Sequence, residues 1–158
     1  MKTDIICVGK IKEKYLEDAI KEYMKRLGAY TNTEIIEVKD EKTPDNASEK
    51  EIKKILETEG ARIRKYMDDK AHIFAMAIEG KQLTSEAFAK RIDDIGMTSS
   101  KIQFIIGGSL GIDESIKKDA DELLSFSKMT FPHQLMRVVL LEQIYRAHKI
   151  IKDEPYHK

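Results

Sequence analysis

Apolar positions in this chain switch repeatedly between a strand-like run and a helix-like stripe, and the switching predicts strands and helices in turn. Ile5 to Val8 is a short apolar run ended by Gly9, the pattern of a buried strand. Tyr15, Leu16, Ala19, Ile20, Tyr23, Met24 and Leu27 then form the apolar stripe of a helix, with Gly28 capping its end. Thr33 to Val38 predicts a second strand and Asp40 to Ala47, with Pro44, a polar loop. Ser48-Glu49-Lys50-Glu51 reads as a capping box, in which the Ser48 hydroxyl accepts a helical N–H and Glu51 reaches back. The helix it opens carries Ile52, Ile55, Leu56 and Ile63 on one side, and Gly60 within it predicts a bend or close packing. His72 to Ile78 predicts a third strand with Gly80-Lys81 as its turn, and Thr84 or Ser85 caps a helix through Ile95. Ile102 to Ile106 is the fourth strand, Asp113 starts a short helix, and Leu123 to Phe126 is the fifth strand. Pro132 suits the first turn of a last helix that extends to about Lys152.

Near-continuous apolar strands alternating with helices predict an α/β fold: a mainly parallel sheet with helices on both faces. No repeat, linker or low-complexity segment interrupts the pattern, so residues 1–158 are expected to form a single domain. That length buries a core without disulfides or metals. With 41% hydrophobic and 35% charged residues the chain belongs with globular proteins, not disordered ones. No apolar stretch approaches the ~20 residues of a membrane span, and the N-terminus lacks a signal-peptide pattern, so a cytoplasmic location is expected. The single cysteine, Cys7, lies in the first apolar run and is read as a buried, inert thiol.

Candidate chemistry gathers in the last third. The fourth strand stops at Gly107-Gly108-Ser109-Leu110-Gly111, where missing side chains let backbone approach a ligand. The first strand is not followed by G-x-G-x-x-G and no P-loop occurs, which excludes the common dinucleotide and triphosphate cradles. His72, His133, His148 and His157 show no metal-ligand spacing, so no metal is expected. The 28 basic and 28 acidic residues cancel, so net charge predicts no polyanion partner. From Ser127 onward, however, Lys128, Arg137, Arg146, Lys149, Lys152 and Lys158 outnumber Glu142, Asp153 and Glu154, which permits a local positive face.

The string Phe104-Ile105-Ile106-Gly107-Gly108-Ser109-Leu110-Gly111, the segment Leu123 to Ala147 containing Phe131-Pro132-His133, and the ending Pro155-Tyr156-His157-Lys158 together resemble one family. It is the ribosomal large subunit methyltransferase H family, small members of the SPOUT class of RNA methyltransferases. The resemblance covers essentially the full length and includes Val8-Gly9-Lys10, Lys14-Tyr15, Tyr23 to Leu27, Glu59-Gly60 and Glu79-Gly80-Lys81. It implies a C-terminal trefoil knot that holds S-adenosyl-L-methionine, and a homodimer. It also implies methylation of N3 of a pseudouridine in the helix 69 stem-loop of 23S rRNA, on assembled ribosomes. The alternative is a non-catalytic ribosome-binding module, which needs no cofactor slot; titration with S-adenosyl-L-methionine separates the two.

Carried onto this chain, the resemblance implies a cofactor site of Met76, Gly107 and the loop Phe126, Ser127, Lys128, Met129, Thr130 and Phe131. Gly107 is expected to leave room for the cofactor itself. Methyl transfer from a sulfonium needs alignment more than an enzyme nucleophile. His157 and Glu142 are candidate bases or orienters for the acceptor N–H, with His133 behind them. Glu142 equally suits an i, i+4 pair with Arg146, and His133 a helix start. Arg137 and Arg146 lie on opposite sides of the last helix; one is expected to face RNA and the other a partner subunit or an internal acid. Tyr156 suits either base stacking or terminal packing. The last helix is apolar on several faces, which predicts a partner subunit, and the tail is expected to reach a catalytic cleft.

Overall fold

The computed structural model describes residues 1–158. Strands β1 (Lys2–Val8), β2 (Asn32–Val38), β3 (His72–Gln82), β4 (Lys101–Ile106) and β5 (Glu122–Ser125) alternate with helices α1 (Lys14–Leu27), α2 (Glu49–Arg64), α3 (Ser85–Gly96), α4 (Glu114–Asp119) and α5 (His133–Ile151). The strands form one sheet in the order β2-β1-β4-β3-β5, and every pairing is parallel. The parallel α/β expectation is met.

Strand pleating sends alternate residues to opposite faces. Ile5, Cys7, Phe104 and Ile106 pack with Leu27, Phe88, Ile92, Leu140 and Ile144, so α1, α3 and α5 cover one face. Ile6, Val8, Ile105 and Ala75 pack with Ile63 and Ile116, so α2 and α4 cover the other. Helices therefore lie on both sides, as the unbroken apolar strands predicted. Cys7 is fully buried, and burial pushes its thiol up to about 12, consistent with an inert side chain.

Local signals mostly held. The capping box forms: Glu51 N donates to Ser48 Oγ at 3.2 Å, and Ser48 N donates to Glu51 Oε1 at 3.1 Å. Thr84, not Ser85, caps α3, accepting from Ala87 N at 3.0 Å. Gly60 is a close-packing site: a Cβ there would lie 3.1 Å from Asp113. Strand β1 starts at Lys2 because buried Thr3 and Asp4 continue the ladder despite their polarity. Pro132 is the residue before α5 and not its first helical position.

The main correction concerns β3. It runs to Gln82, and Gly80-Lys81 is not a free turn. Both Met76 and Lys81 pair with Leu124 of β5, so residues 77–80 bulge out between two paired stretches. A Cβ on Gly80 would come within 2.7 Å of the Leu123–Leu124 backbone, which is why glycine closes the bulge.

Candidate active site

A cavity of about 740 Å³ opens at the carboxyl ends of β3, β4 and β5. This is the edge where a parallel sheet presents its connecting loops to a ligand. Its first wall is the β3 bulge, with Met76, Ala77, Ile78 and Glu79. The second is the loop after β4, where Gly111 takes φ +92° and its N–H closes a turn on Gly108 O at 3.1 Å. The third is the end of β5 and the segment after it, residues 125–133 apart from Lys128. Two hydroxyls pin this segment: Ser125 Oγ donates to Ser127 O at 2.9 Å, and Ser127 Oγ accepts from Met129 N at 2.9 Å. Leu124, Ile106 and Ile112 line the cavity with apolar surface.

Few charges face this space: the pair Lys117–Glu79 at 2.7 Å, and His133. Burial, with the nearby Arg137 charge, lowers the His133 pKa, so its imidazole is neutral at physiological pH. Of the cofactor residues expected from the sequence, Met76, Gly107, Phe126, Ser127, Met129, Thr130 and Phe131 line the cavity. Lys128 does not; its side chain is exposed outside it.

Gly107 also needs a different explanation. A Cβ there would lie 2.2 Å from Gly111 O and 2.5 Å from Gly111 C. The glycine is required first by the loop's own backbone, before any ligand is considered.

A second polar cluster sits at the other end of α5. Glu142 accepts from Arg146 Nε at 3.0 Å and from the Tyr156 hydroxyl at 3.1 Å. Arg146 Nη1 lies 3.1 Å from His157 Nδ1, and His157 Nε2 lies 2.7 Å from Glu86 Oε1. The Tyr156 ring packs edge-on against Tyr145 at 4.9 Å, with the Arg146 guanidinium 4.8 Å from its centroid. Burial and the Glu142 charge push the Tyr156 hydroxyl up to about 12, so it stays protonated. The tail is thus folded onto its own helix. The Glu142–Arg146 i, i+4 pair is present.

The three candidate catalytic residues do not converge within one chain. His133 and Glu142 are nine residues apart on α5, a rise of about 14 Å. His157 joins Glu142, while His133 stays at the cavity. Arg137 requires a correction too: it is 1% exposed and therefore does not face RNA. Its Nη1 donates to Glu37 Oε2 at 2.6 Å and its Nη2 to Gly9 O at 3.2 Å. It is the arginine with the internal acid, and Arg146 lies on the opposite side.

The family described as "Predicted SPOUT methyltransferase" matches residues 1–157. The chain belongs to the SPOUT methyltransferase family. Curated relatives cover it completely and are themselves covered completely. They include ribosomal RNA large subunit methyltransferase H of Bifidobacterium adolescentis at 63% identity, of Clostridium beijerinckii at 61% and of Streptococcus thermophilus at 57%.

Sequence reasoning singled out residues on each wall of this cavity: Met76, Gly107 and the segment after β5. It missed Ala77 to Glu79, because a strand that bulges and resumes looks in sequence like a strand followed by a turn. The Glu79-Gly80-Lys81 triplet was the available signal. It also missed Lys117, which arrives from α4 on the far side of the sheet with no local mark.

Proposed function

We propose that this chain uses S-adenosyl-L-methionine to methylate N3 of a pseudouridine in the helix 69 stem-loop of 23S rRNA, acting on assembled ribosomes as a homodimer. The cavity at the glycine-rich end of β4, in a member of the SPOUT methyltransferase family, carries this reading. The names of the relatives support ribosomal RNA as the substrate class. The trefoil knot implied by the sequence resemblance belongs to the same proposal.

The residues present fit the cofactor. A volume of about 740 Å³ is within the usual range for a small-molecule site. Met76, Leu124, Phe126 and Phe131 offer an apolar slot for a planar base, edged by the backbone of the loop after β5. Bound there, S-adenosyl-L-methionine supplies an electrophilic methyl group. The chain's own contribution is to orient and to exclude water. The hydroxyl-pinned loop keeps the slot in one conformation, and orientation of this kind accounts for much of the barrier reduction in such a transfer.

The two polar regions then call for two protomers. Within one chain the tail cluster is about 14 Å along α5 from His133. In the proposed dimer the Tyr156–His157 tail of one protomer lies over the other's cavity, where Glu142, Arg146 and His157 orient the acceptor base. Met129 is 74% exposed and Ile78 49%, apolar surface at the cavity suited to a partner's cover.

The test is methyl transfer from labelled S-adenosyl-L-methionine to ribosomes that lack the modification, followed by mapping of the methylated base. Label on N3 of a helix 69 pseudouridine is expected. Label elsewhere in the rRNA overturns the substrate assignment, and calorimetry without cofactor binding overturns the enzyme reading. Sedimentation as a monomer at micromolar concentration removes the dimer.

A further inference from the structure

We infer that the loop between β1 and α1 together with the start of that helix, from Gly9 to Tyr15, is an RNA-docking element beside the cavity: Lys10 and Lys12 take phosphates and Tyr15 stacks on an unpaired base. This rests on the RNA-methyltransferase reading and adds to it the surface by which a net-neutral protein holds a polyanion.

The loop is fixed in place from α5. Gly9 takes φ +88°, its N–H donates to Val38 O at 2.8 Å, and its carbonyl accepts from the buried Arg137 at 3.2 Å. Gln134 Nε2 reaches Lys10 O at 3.5 Å. A Cβ at Gly9 would lie 3.9 Å from His133 Nε2, so the loop borders the His133 wall of the cavity. Arg137 therefore acts on RNA only indirectly, as a strut that holds this loop against the site.

What the loop displays matches single-stranded RNA. Lys10, Lys12 and Lys14 stand against one acid, Glu13, over six residues. Lys14 is held by Asp18 at 3.5 Å, whereas Lys10 and Lys12 are exposed with no acidic partner within 4.0 Å. Tyr15 follows at once and is 72% exposed, the most exposed aromatic ring in the molecule. Unpaired cations interleaved with an exposed aromatic face are what a phosphate backbone and an unstacked base require. The balanced net charge does not oppose this, because exposed phosphate contacts act within about one Debye length, ~8 Å at physiological salt.

The experiment measures binding to ribosomes lacking the modification, across a salt series, for the full chain and three variants. Lys10→Gln/Lys12→Gln should weaken binding at low salt and reduce the slope of log K against log salt by about 1.5. Tyr15→Ala should lose roughly tenfold in affinity with its slope unchanged, and Tyr15→Phe should keep full affinity. Cofactor affinity by calorimetry should be the same in all four proteins, which also shows that they are folded. An unaltered salt slope in the double variant overturns the inference, even if affinity falls, because the contact is then with protein. So does wild-type affinity in Tyr15→Ala. Wild-type protein that neither binds nor methylates ribosomes overturns the inference together with the proposed function. Wild-type activity with unaffected variants overturns the inference alone.

Discussion

Helix α5 joins two regions built on opposite principles. At its N-terminal end the cavity is shaped by backbone: a bulged strand, a glycine loop and a segment pinned by two serine hydroxyls. Toward its C-terminal end the tail cluster is shaped by side chains: Glu142, Arg146, Tyr156, His157 and Glu86 satisfying one another. The first kind of site holds one shape and tolerates little substitution. The second is a set of exchangeable contacts, able to trade its partners for those of another surface. A cofactor pocket needs the first property and a substrate-orienting tail needs the second.

The largest effect that tests this contrast is at Gly107. Gly107→Val should abolish S-adenosyl-L-methionine binding and destabilise the fold by about 3 kcal/mol, since the added carbon overlaps Gly111 backbone. Calorimetry and thermal melting check both; lost binding with an unchanged melting temperature means the side chain meets only the ligand.

Deleting Tyr156 to Lys158 should do the reverse. Cofactor affinity should stay nearly constant while methyl transfer to ribosomes falls about 100-fold, about 2.7 kcal/mol of transition-state stabilisation. Equal loss of cofactor binding breaks the contrast by making the tail part of the pocket's structure.

Arg137 lies between the two regions. Arg137→Ala should lower stability by about 2 kcal/mol in denaturant titration, because Glu37 and the Gly9 carbonyl both lose a charged donor. A loss below about 0.5 kcal/mol makes the strut dispensable.

The smallest effect is a pH dependence carried by His148, which sits behind the tail cluster through Tyr30 and Tyr145. His148 is buried and stacks on Tyr30 at 5.8 Å, and burial lowers its pKa below the ordinary value of 6.5. Below pH 6.5 the unfolded chain binds the proton and the folded chain resists it, so stability falls as pH drops from about 7 to 5. One proton sets the limit at about 1.4 kcal/mol per pH unit. His148→Gln should flatten that part of the curve in melts at fixed salt, and His133, lowered in the same direction, should account for part of what remains.

Local physics made the elements legible. The apolar period of each strand, the Ser48–Glu51 box and the Thr84 cap are decided by neighbours within four residues, and the structure agrees with them. The glycine stop after β4 was legible as well, because glycines mark backbone that must turn, whereas the loop from Phe126 to Phe131 was named only by the family resemblance. Side-chain partners distant in sequence were not legible. The sequence left open which of Arg137 and Arg146 faces RNA, and Glu37, 100 residues earlier than Arg137, pairs with Arg137 and holds it inside.

The sequence by itself determined the α/β alternation, the parallel sheet and the glycine loop, because these follow from short-range sterics and from apolar surface leaving water. Only the tertiary structure decided that β3 bulges into the cavity, that His133 lines that cavity while Glu142 meets the tail, and that the buried Arg137 braces the Gly9 loop. Those outcomes depend on which distant segments the sheet order brings together, and no local pattern encodes that juxtaposition.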